Sequence, residues 1–459
     1  MAILGGIFAS ALVPHSAASA SLVEIFRQAQ VSDAAYASAR ATWGAAQERV
    51  PQGRSGLLPQ VTLSADAQRN DRQIQVRDPR FPTSSTTFST KVATLSITQP
   101  LYRRQNQIAY EQAKTQATQA DAELSQAAQD LVLRVAQAYF DILLAEDNVG
   151  LIDAQKAAIQ LQLEQAKRNF EVGTATITDT HEAQARYDLA SAQEISSRND
   201  LELRRRALEE IIASPVPPLS RLSAGLVLSL PQPPEMNIWV DEALQGNLLV
   251  KAAEAGVAIA SQSVARSRTG HYPTLDLTAN YQEVRAGAGV QGTFSPGFDA
   301  RLKSIGMQLF IPLYQGGLVS SSVREAIVLE DRAHHELDRA RRAAEFNARQ
   351  AYLGVTNGVA QVRALEAAQV SSEAQLNSTR RGQQVGVRTQ VDVLNAQQQL
   401  TTARRDLAQA RYNYILSVLR LKAAIGQLTE EDLIDVNKWL SSAYDTDSIK
   451  MAQRRPSAR

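Results

Sequence analysis

The chain contains no cysteine, which excludes disulfides, thiolate zinc sites, cysteine nucleophiles and a lipid-bearing N-terminal cysteine. Aromatic residues make up only 5% of its 459 residues, which is low for a packed globular core. The formal net charge of +1 offers no electrostatic argument for nucleic-acid binding. Alanine, glutamine, arginine, glutamate and leucine are abundant instead, and this composition is typical of long helices and coiled coils.

Long hydrophobic runs are also scarce. Residues 2–13 are apolar and Ala18-Ser19-Ala20 fits a small-residue cleavage site, so residues 1–20 are predicted to be a signal peptide. Because no lysine or arginine precedes Arg27, a simple apolar N-terminus remains the alternative. No other stretch reaches the roughly 18 apolar residues of a membrane-spanning helix. If the chain crosses a bilayer, we expect it to do so with strands.

Four segments alternate apolar and polar residues with the period of two that is typical of strands. The first is 59–67; after a polar stretch, 69–85, the second runs from Phe88 to Tyr102, where Pro100 is expected to end the strand. The third is 273–281, and the fourth carries an apolar row from Ile305 to Leu313. The sequence therefore predicts two strand hairpins.

Long helical patterns surround these strands. From about Arg103 to Val172, apolar residues recur in steps of four and three, which predicts a coiled-coil seam. The seam residues are Leu124, Ala128, Leu131, Val135, Ala138, Ile142, Ala145, Val149 and Ile152. Some 70 helical residues would span about 105 Å, more than a compact domain needs. A second helix is predicted from Asp179 to about Ile212, with Thr178 or Asp179 as its cap.

The same order of patterns occurs twice in the chain. The turn sequence FEVGTATITD of the first half returns in the second half as QQVGVRTQVD. Pairs separated by 213 residues (386 − 173) include Gly173 and Gly386, Asp179 and Asp392, and Tyr139 and Tyr352. We therefore expect a duplicated structure in which each half contains helix, strand, loop, strand, long helix, turn and helix.

Four amphipathic strands are too few to close a barrel, and an open sheet edge in lipid leaves backbone groups unpaired. Barrels begin at about eight strands, and a water-filled interior needs more. Chains must therefore share strands: two chains would supply about eight and three about twelve. We expect three chains, while the argument leaves four chains open.

The duplicated order, the repeated Pro-Leu-Tyr sequences after the strands and the two turn sequences resemble the TolC family of outer-membrane channel proteins. The resemblance extends from Ser21 to Ile425. It implies a mostly α-helical chain with β-strands, in which a homotrimer forms a twelve-stranded transmembrane β-barrel and a long coiled-coil α-barrel in the periplasm of a Gram-negative bacterium. The Pro-rich connector and the tail would lie in an equatorial belt.

The resemblance also implies a passive duct that joins a periplasmic adaptor and an inner-membrane ABC or other transporter, and that releases exported protein or small-molecule cargo across outer-membrane lipid. The sequence GTATITDTHEAQARYDLA is most similar to the type I secretion branch, and drug efflux is the alternative. No cofactor, metal or nucleic-acid partner is expected.

These patterns divide the chain into nine segments. They are the signal peptide 1–20, a helix 21–58, the first transmembrane hairpin 59–101, the first helical hairpin 102–213, the Pro-rich connector 214–240, a helix 241–270, the second transmembrane hairpin 271–314, the second helical hairpin 315–426 and a polar tail 427–459. We expect the tail to be disordered from Thr429 onward.

The resemblance places a gate at the periplasmic ends of the helical hairpins. Asp392 matches an acidic residue of the constriction ring, Arg388 matches a gate arginine that bonds a neighbouring helix, and Asp179 matches its carboxylate partner. Two positions depart from the family: Asn395 stands where a second acidic ring residue occurs, and Gln383 stands where a gate tyrosine occurs. We therefore expect weaker cation binding and a weaker closed-state lock.

The tips of the two turns are the expected adaptor contacts, at Gly173, Thr174, Gly386 and Val387. The alternative for the acidic residues is that Asp179 is a helix cap and Asp392 a similar, cap-like residue.

Two other motifs lead to no function. Residues 287–292 fit G-x-G-x-x-G, but a strand rather than a helix follows, so nucleotide binding is not expected. His181-Glu182 and His335-Glu336 lack the second histidine of a zinc-protease motif, and no nucleophile–base set is apparent, so we expect no enzyme. Two rival hypotheses are a periplasmic adaptor, which predicts lipoyl-like segments, and a soluble coiled-coil scaffold, which leaves the apolar strand faces unexplained.

Overall fold

The computed structural model describes residues 19–78, 80, 83–174, 176–223, 226–290 and 296–441. The first half contains α1 (Leu22–Ser32), α2 (Ala34–Gln47), α3 (Arg49–Ser55), β1 (Gln60–Ile74), β2 (Ser84–Tyr102), α4 (Arg104–Glu171) and α5 (Ile177–Ile212), and the connector contains β3 (Arg221–Leu222). The second half contains α6 (Met236–Gly246), α7 (Leu248–Arg268), a 3-10 turn (Thr269–His271), β4 (Thr274–Ala286), β5 (Phe298–Phe310), α8 (Leu318–Gln384) and α9 (Gln390–Ala424), followed by α10 (Glu430–Asn437) and β6 (Leu440–Ser441).

The expected duplication is confirmed, because both halves contain a strand hairpin followed by a helix of more than 60 residues, a turn and a second helix. The first 18 residues of the predicted signal peptide, part of the G-x-G-x-x-G sequence and the tail after Ser441 lie outside the described residues.

The strands are longer than the sequence predicts. β1 and β2 continue into the polar stretch 69–85, where Asn70 faces Phe88 and Ile74 faces Ser84. Polar residues can extend an antiparallel ladder because the backbone supplies its hydrogen bonds. The prediction that Pro100 ends β2 is wrong: the strand continues to Tyr102, with a register shift between these two residues. A proline has no N–H to donate, so the ladder is irregular there.

The chain folds as two compact units. The sheet unit comprises residues 42–122 and 251–340, and its four strands lie in the antiparallel order β1-β2-β4-β5. One cross-strand row joins Leu63, Leu95 and Tyr281, so apolar odd-numbered residues of neighbouring strands share one face. Near the start of α4, Arg103 holds Asp276 of β4 through two bonds of 2.8 and 2.5 Å.

Among the residues that the structure describes, one helix is long and apolar enough, by length and composition, to cross a membrane. It is α7 with the 3-10 turn, Leu248–His271, with a mean hydropathy of 1.3. The sequence analysis counted apolar residues and expected no further stretch of about 18. α7 contains the charged residues Lys251 and Glu254, and its many alanines raise its mean hydropathy. Within the sheet unit, α7 lies beside α4, where Gln112 donates to the Ile259 carbonyl (3.2 Å) and to Ser263 Oγ (2.7 Å).

The helical unit comprises residues up to 41, 123–250 and from 341 onward. Its main core lies among α1, the seam of α4, the end of α5 and the second half of α9. Among its largest fully buried side chains are Tyr139, Phe140, Leu131, Ile142, Leu22, Ile25, Leu208, Ile212, Tyr414, Ile415 and Leu419. The predicted seam thus supplies Leu131 and Ile142 to this core.

Three tyrosines attach the Pro-rich connector to this core. Tyr139 donates to the Ser220 carbonyl at 2.8 Å, and Tyr414 donates to the Ser229 carbonyl at 2.9 Å. Tyr352, the repeat equivalent of Tyr139, donates to the Pro234 carbonyl. The two equivalent tyrosines therefore hold two different points of the same connector.

The prediction that the chain is disordered from Thr429 onward is wrong for its first part. α10 starts with a capping box in which Thr429 and Asp432 bond each other's backbone N–H groups, and it buries Leu433 and Val436. β6 then pairs with β3 of the connector. An apolar pair three residues apart inside a polar segment was the signal for this short, amphipathic helix.

Candidate functional site: the two helical hairpin ends

Each long helix ends in the same backbone turn. Gly173 and Gly386 both have φ +80°, the left-handed conformation in which glycine carries no Cβ penalty. Thr174 N–H donates to the Asn169 carbonyl at 2.8 Å, and Val387 N–H donates to the equivalent Gly382 carbonyl at 2.9 Å. These are Schellman motifs, and they satisfy carbonyls that a helix end otherwise leaves without partners.

Each following helix starts with a capping box. Thr176 Oγ1 accepts the N–H of Asp179 (3.3 Å), while Asp179 accepts the N–H (2.9 Å) and hydroxyl (2.8 Å) of Thr176. Thr389 and Asp392 repeat the arrangement at 3.2, 2.9 and 3.0 Å. The sequence prediction of Thr178 or Asp179 as the cap is therefore wrong: the cap is Thr176, and Asp179 is its reciprocal partner three residues later.

The capping boxes lower the pKa of both carboxyl groups. Backbone and hydroxyl hydrogen bonds from Thr176 lower the pKa of Asp179. The same bonds from Thr389 lower the pKa of Asp392, with a further contribution from the positive charge of Arg388. Both side chains are therefore ionised at neutral pH, as a ring of cation-binding carboxylates requires.

The predicted ion pair between Arg388 and Asp179 is not formed within one chain, as judged over the described residues. Arg388 is exposed and packs its side chain beside Gly382, where an added Cβ would lie 2.8 Å from Arg388 Cγ. Gln383 donates its amide to Gln390 across the turn of its own hairpin. A pair between Arg388 of one chain and Asp179 of the next stays a prediction.

A contact that the sequence analysis missed joins the two hairpins. Arg186 of α5 donates to Asn395 of α9 at 3.1 Å and to Glu182 of its own helix at 3.0 Å. Beside this bond, Leu394 packs against Ile159 and Ala190. No sequence spacing pointed to Arg186, because its partner is 209 residues away in the chain.

The tips of both turns expose apolar side chains. Val172, Val385 and Val387 are 72, 73 and 74% exposed, and the predicted contact residues Gly173, Thr174 and Gly386 are also exposed. Each tip therefore exposes apolar side chains, and its role as an adaptor contact stays a prediction.

The comparisons with known proteins agree with this architecture. The family model described as "Outer membrane efflux protein" matches residues 25–214 and 239–427, once for each repeat. The chain belongs to the outer membrane efflux protein family.

One of the relatives of this chain is named for secretion. The outer membrane protein TolC of Vibrio cholerae is 35% identical over 422 residues, covering 92% of this chain and 94% of that protein. The proteases secretion protein PrtF of Dickeya chrysanthemi is 30% identical and covers 93% of each chain. The solved structure of the outer membrane protein VceC from Vibrio cholerae superimposes with a TM-score of 0.73 at 20% identity, covering 88% of this chain and 96% of that one. The chain is thus an outer-membrane protein with a TolC-like fold, as the sequence predicts.

Proposed function

We propose that three copies of this chain form a passive duct through the outer membrane, opened by contact with a periplasmic adaptor and an inner-membrane transporter. The observation that carries the proposal is the strand order β1-β2-β4-β5, in which β1 and β5 each pair with a single strand within the described part of the chain. Because lipid offers no hydrogen bonds to a sheet edge, β5 of one copy must pair with β1 of the next until the sheet closes.

Type I protein secretion is the export route that we propose for this duct. The support is the resemblance of the first turn sequence to that branch, together with a full-length relative named for the secretion of proteases. Small-molecule efflux is the second candidate, since the description of the family itself names efflux. The experiment expresses this chain in a strain that lacks its own channel. Restored protease secretion would support type I secretion, and restored drug resistance would support small-molecule efflux.

We also propose that the hairpin ends form the gate. Three copies of Asp392 would converge at the pore axis and bind cations, while Arg388 would pair with Asp179 of the neighbouring copy and hold the closed state. The support is chemical: both carboxyl groups are ionised and lie in the first turns of helices, and Arg388 is exposed. An adaptor that contacts the valine tips could break such a pair at little cost, because exposed ion pairs are weak.

The experiment compares two matched variants, since Asp179 and Asp392 occupy the same position of two equal capping boxes. Asp392→Asn should weaken divalent-cation block in planar bilayers by about tenfold or more, because converging charges are lost. Asp179→Asn should raise the conductance, as Arg388→Gln should, without changing the cation affinity. Equal effects of both substitutions on both readouts would mean that the carboxyl groups act only as helix caps.

The wild-type protein supplies the test of the duct itself. A membrane-extracted oligomer that dissociates only on heating, and that conducts in planar bilayers, is the expected result. A monomer that stays soluble without detergent would contradict the proposal.

A further inference from the structure

The apolar face of the sheet changes abruptly to a charged one along the strands. The cross-strand row through Ile97 is apolar, because its other members are Val61, Ala279 and Ile305. Toward the β1–β2 and β4–β5 loops, the next four rows of the same odd-numbered face contain seven charged residues. The cations are Lys303, Arg301, Lys91, Arg285 and Arg69, and the acids are Glu283 and Asp299. Asp71 lies one row further, opposite Thr87. The face thus ends in a belt of net positive charge, which we call the basic belt.

Some charges of the basic belt are already paired. Glu283 accepts the hydroxyl of Tyr281 at 2.9 Å and lies 3.3 Å from Arg301. The ammonium of Lys303 lies 5.8 Å from the centre of the Tyr281 ring. One of the two acids is therefore engaged with a cation of its own row.

Lys91 and Arg285 are different, because they lie directly opposite each other on β2 and β4. Like charges in directly opposed positions destabilise an antiparallel pair. Over the described residues, neither side chain lies within 4.0 Å of a carboxylate oxygen, although Asp299 is the next residue in the row. Both side chains are exposed, so an anion from outside the chain can reach them.

A shallow groove lies beside this cationic pair. Its volume is about 330 Å³, and its lining includes the small side chains Ala65, Ala67 and Ala93 together with Lys91, Glu283 and Arg285. Asp66 and Val92 also line it, and their even numbers place their side chains on the other face of the sheet. The alanines leave room between neighbouring strands, and they connect the cations to the apolar rows. The groove therefore offers an amphiphile two surfaces at once, an anion-binding end and an apolar floor.

The basic belt lies at the end of the strands that carries the β1–β2 and β4–β5 loops, and α4 and α8 follow the opposite end. If those helices extend into the periplasm, as the proposed duct requires, the loop end faces the outer leaflet. The inference below rests on the proposed function for this orientation alone.

We infer that Lys91 and Arg285 bind the phosphate groups of a phosphorylated glycolipid of the outer leaflet. Its acyl chains lie on the alanine groove and the apolar rows, as chains against a transmembrane face must. Guanidinium and ammonium groups are strong partners for phosphate, and a bound phosphate removes the repulsion between them. The occupant is thus a structural lipid that covers the repulsive point of the sheet.

The test measures how much lipid A the purified full-length oligomer retains, by native mass spectrometry after reconstitution. Each of Lys91→Gln and Arg285→Gln should weaken retention by about tenfold, because each removes a charge-assisted bond. Lys91→Arg keeps the charge and should retain lipid A as the wild type does. Arg332→Gln, an exposed cation on α8, controls for net charge and should have no effect.

The melting temperature is a second readout, and the effect of Lys91→Gln on it should have opposite signs without and with lipid A. In detergent without phosphate groups, Lys91→Gln should raise the melting temperature, because it removes a like-charged pair; with lipid A present, it should lower the melting temperature relative to the wild type. A change of the same sign in both media would overturn the inference. So would equal retention of dephosphorylated lipid A, which means that acyl chains alone bind, or displacement by millimolar inorganic phosphate, which means a free-anion site.

The failure of this inference is distinguishable from failure of the proposed function. If the wild type neither oligomerises nor conducts, the duct is wrong whatever lipid it retains. If the Lys91 and Arg285 variants conduct normally and retain lipid A as the wild type does, only the lipid site is wrong.

Discussion

The two helical hairpin ends have the same backbone and different side chains. Both contain a glycine with φ +80°, a Schellman motif and a capping box. In register, however, Thr174 of the first end corresponds to Val387 of the second, and the next residue of the second end is Arg388. The shared residues therefore form the turn, whereas the differing residues are the candidates for gating chemistry.

The lateral contacts differ in the same way. The first hairpin contributes Arg186, and the second contributes Asn395 as its acceptor. The second hairpin also closes its own turn with the bond between Gln383 and Gln390. Duplication therefore preserved what a helical hairpin needs and left its flanks free to diverge.

Replacing the turn glycines should have the largest effect. Gly173→Val and Gly386→Val each force a β-branched residue to φ +80°, which should cost about 1–2 kcal/mol or more. Hydrogen exchange in the last turn of the preceding helix measures the loss. Gly150→Ala is the control: Gly150 lies inside α4 with open space around it, so alanine should stabilise by about 0.5–1 kcal/mol. If Gly173→Val leaves hydrogen exchange unchanged, the two hairpin ends are not equivalent.

Removing the caps should have the next largest effect. Thr176→Ala and Thr389→Ala should each cost about 1 kcal/mol, since each leaves helix N–H groups without a partner. Thermal unfolding and exchange at the start of α5 and α9 report it. Thr178→Ala is the matched control and should stay within about 0.5 kcal/mol. If Thr178→Ala costs more than Thr176→Ala, the cap has been placed on the wrong residue.

Changing the bond between the hairpins should have a smaller effect on stability and a clear one on the pore. Arg186→Gln should cost about 0.2–1 kcal/mol, because the side chain is partly exposed. Asn395→Asp adds a carboxylate beside Arg186. The positive charge of Arg186 should neutralise this carboxylate, so the block of the pore by divalent cations should change little. In the Arg186→Gln background, the same Asn395→Asp should strengthen block. Single-channel titration with a divalent cation measures both, and identical block in the two backgrounds would contradict the pairing.

Low pH should have the smallest effect of these changes, and it should destabilise both hairpin ends equally. The folded-state pKa values of Asp179 and Asp392 are lowered, so their capping contribution is complete above the unfolded value of about 4. It is lost as the pH falls through the lower folded values. Proteolysis at the turns should therefore accelerate below about pH 4. Asp179→Asn and Asp392→Asn should each flatten this dependence at their own end; acceleration at one end only would break the symmetry.

Much of the fold was predictable because it rests on short-range patterns. The alternation around Leu95, the seam through Leu131 and Ile142, and the repeated glycines each report local geometry, and each appears in the structure. The ends of elements were less predictable. The polar half of β1 and the helix after Thr429 depend on partners elsewhere in the chain, which no local window contains.

The candidate site divides in the same manner. The repeat pointed to Asp179 and Asp392, but their reciprocal bonds to Thr176 and Thr389 required backbone geometry at the helix starts. Arg186 escaped notice because nothing near it in the chain suggests its acceptor. The opposed pair of Lys91 and Arg285 escaped for the same reason, since register between β2 and β4 is not written in either strand alone.

The duplication, the types of the main elements, the absence of cysteine chemistry and the family resemblance all follow from the residues themselves, because period, composition and glycine spacing act through neighbouring residues. Which side chains meet across 100 or 200 residues of chain follows from the folded structure alone, because the free energy of those contacts depends on packing and register that form together when the chain folds.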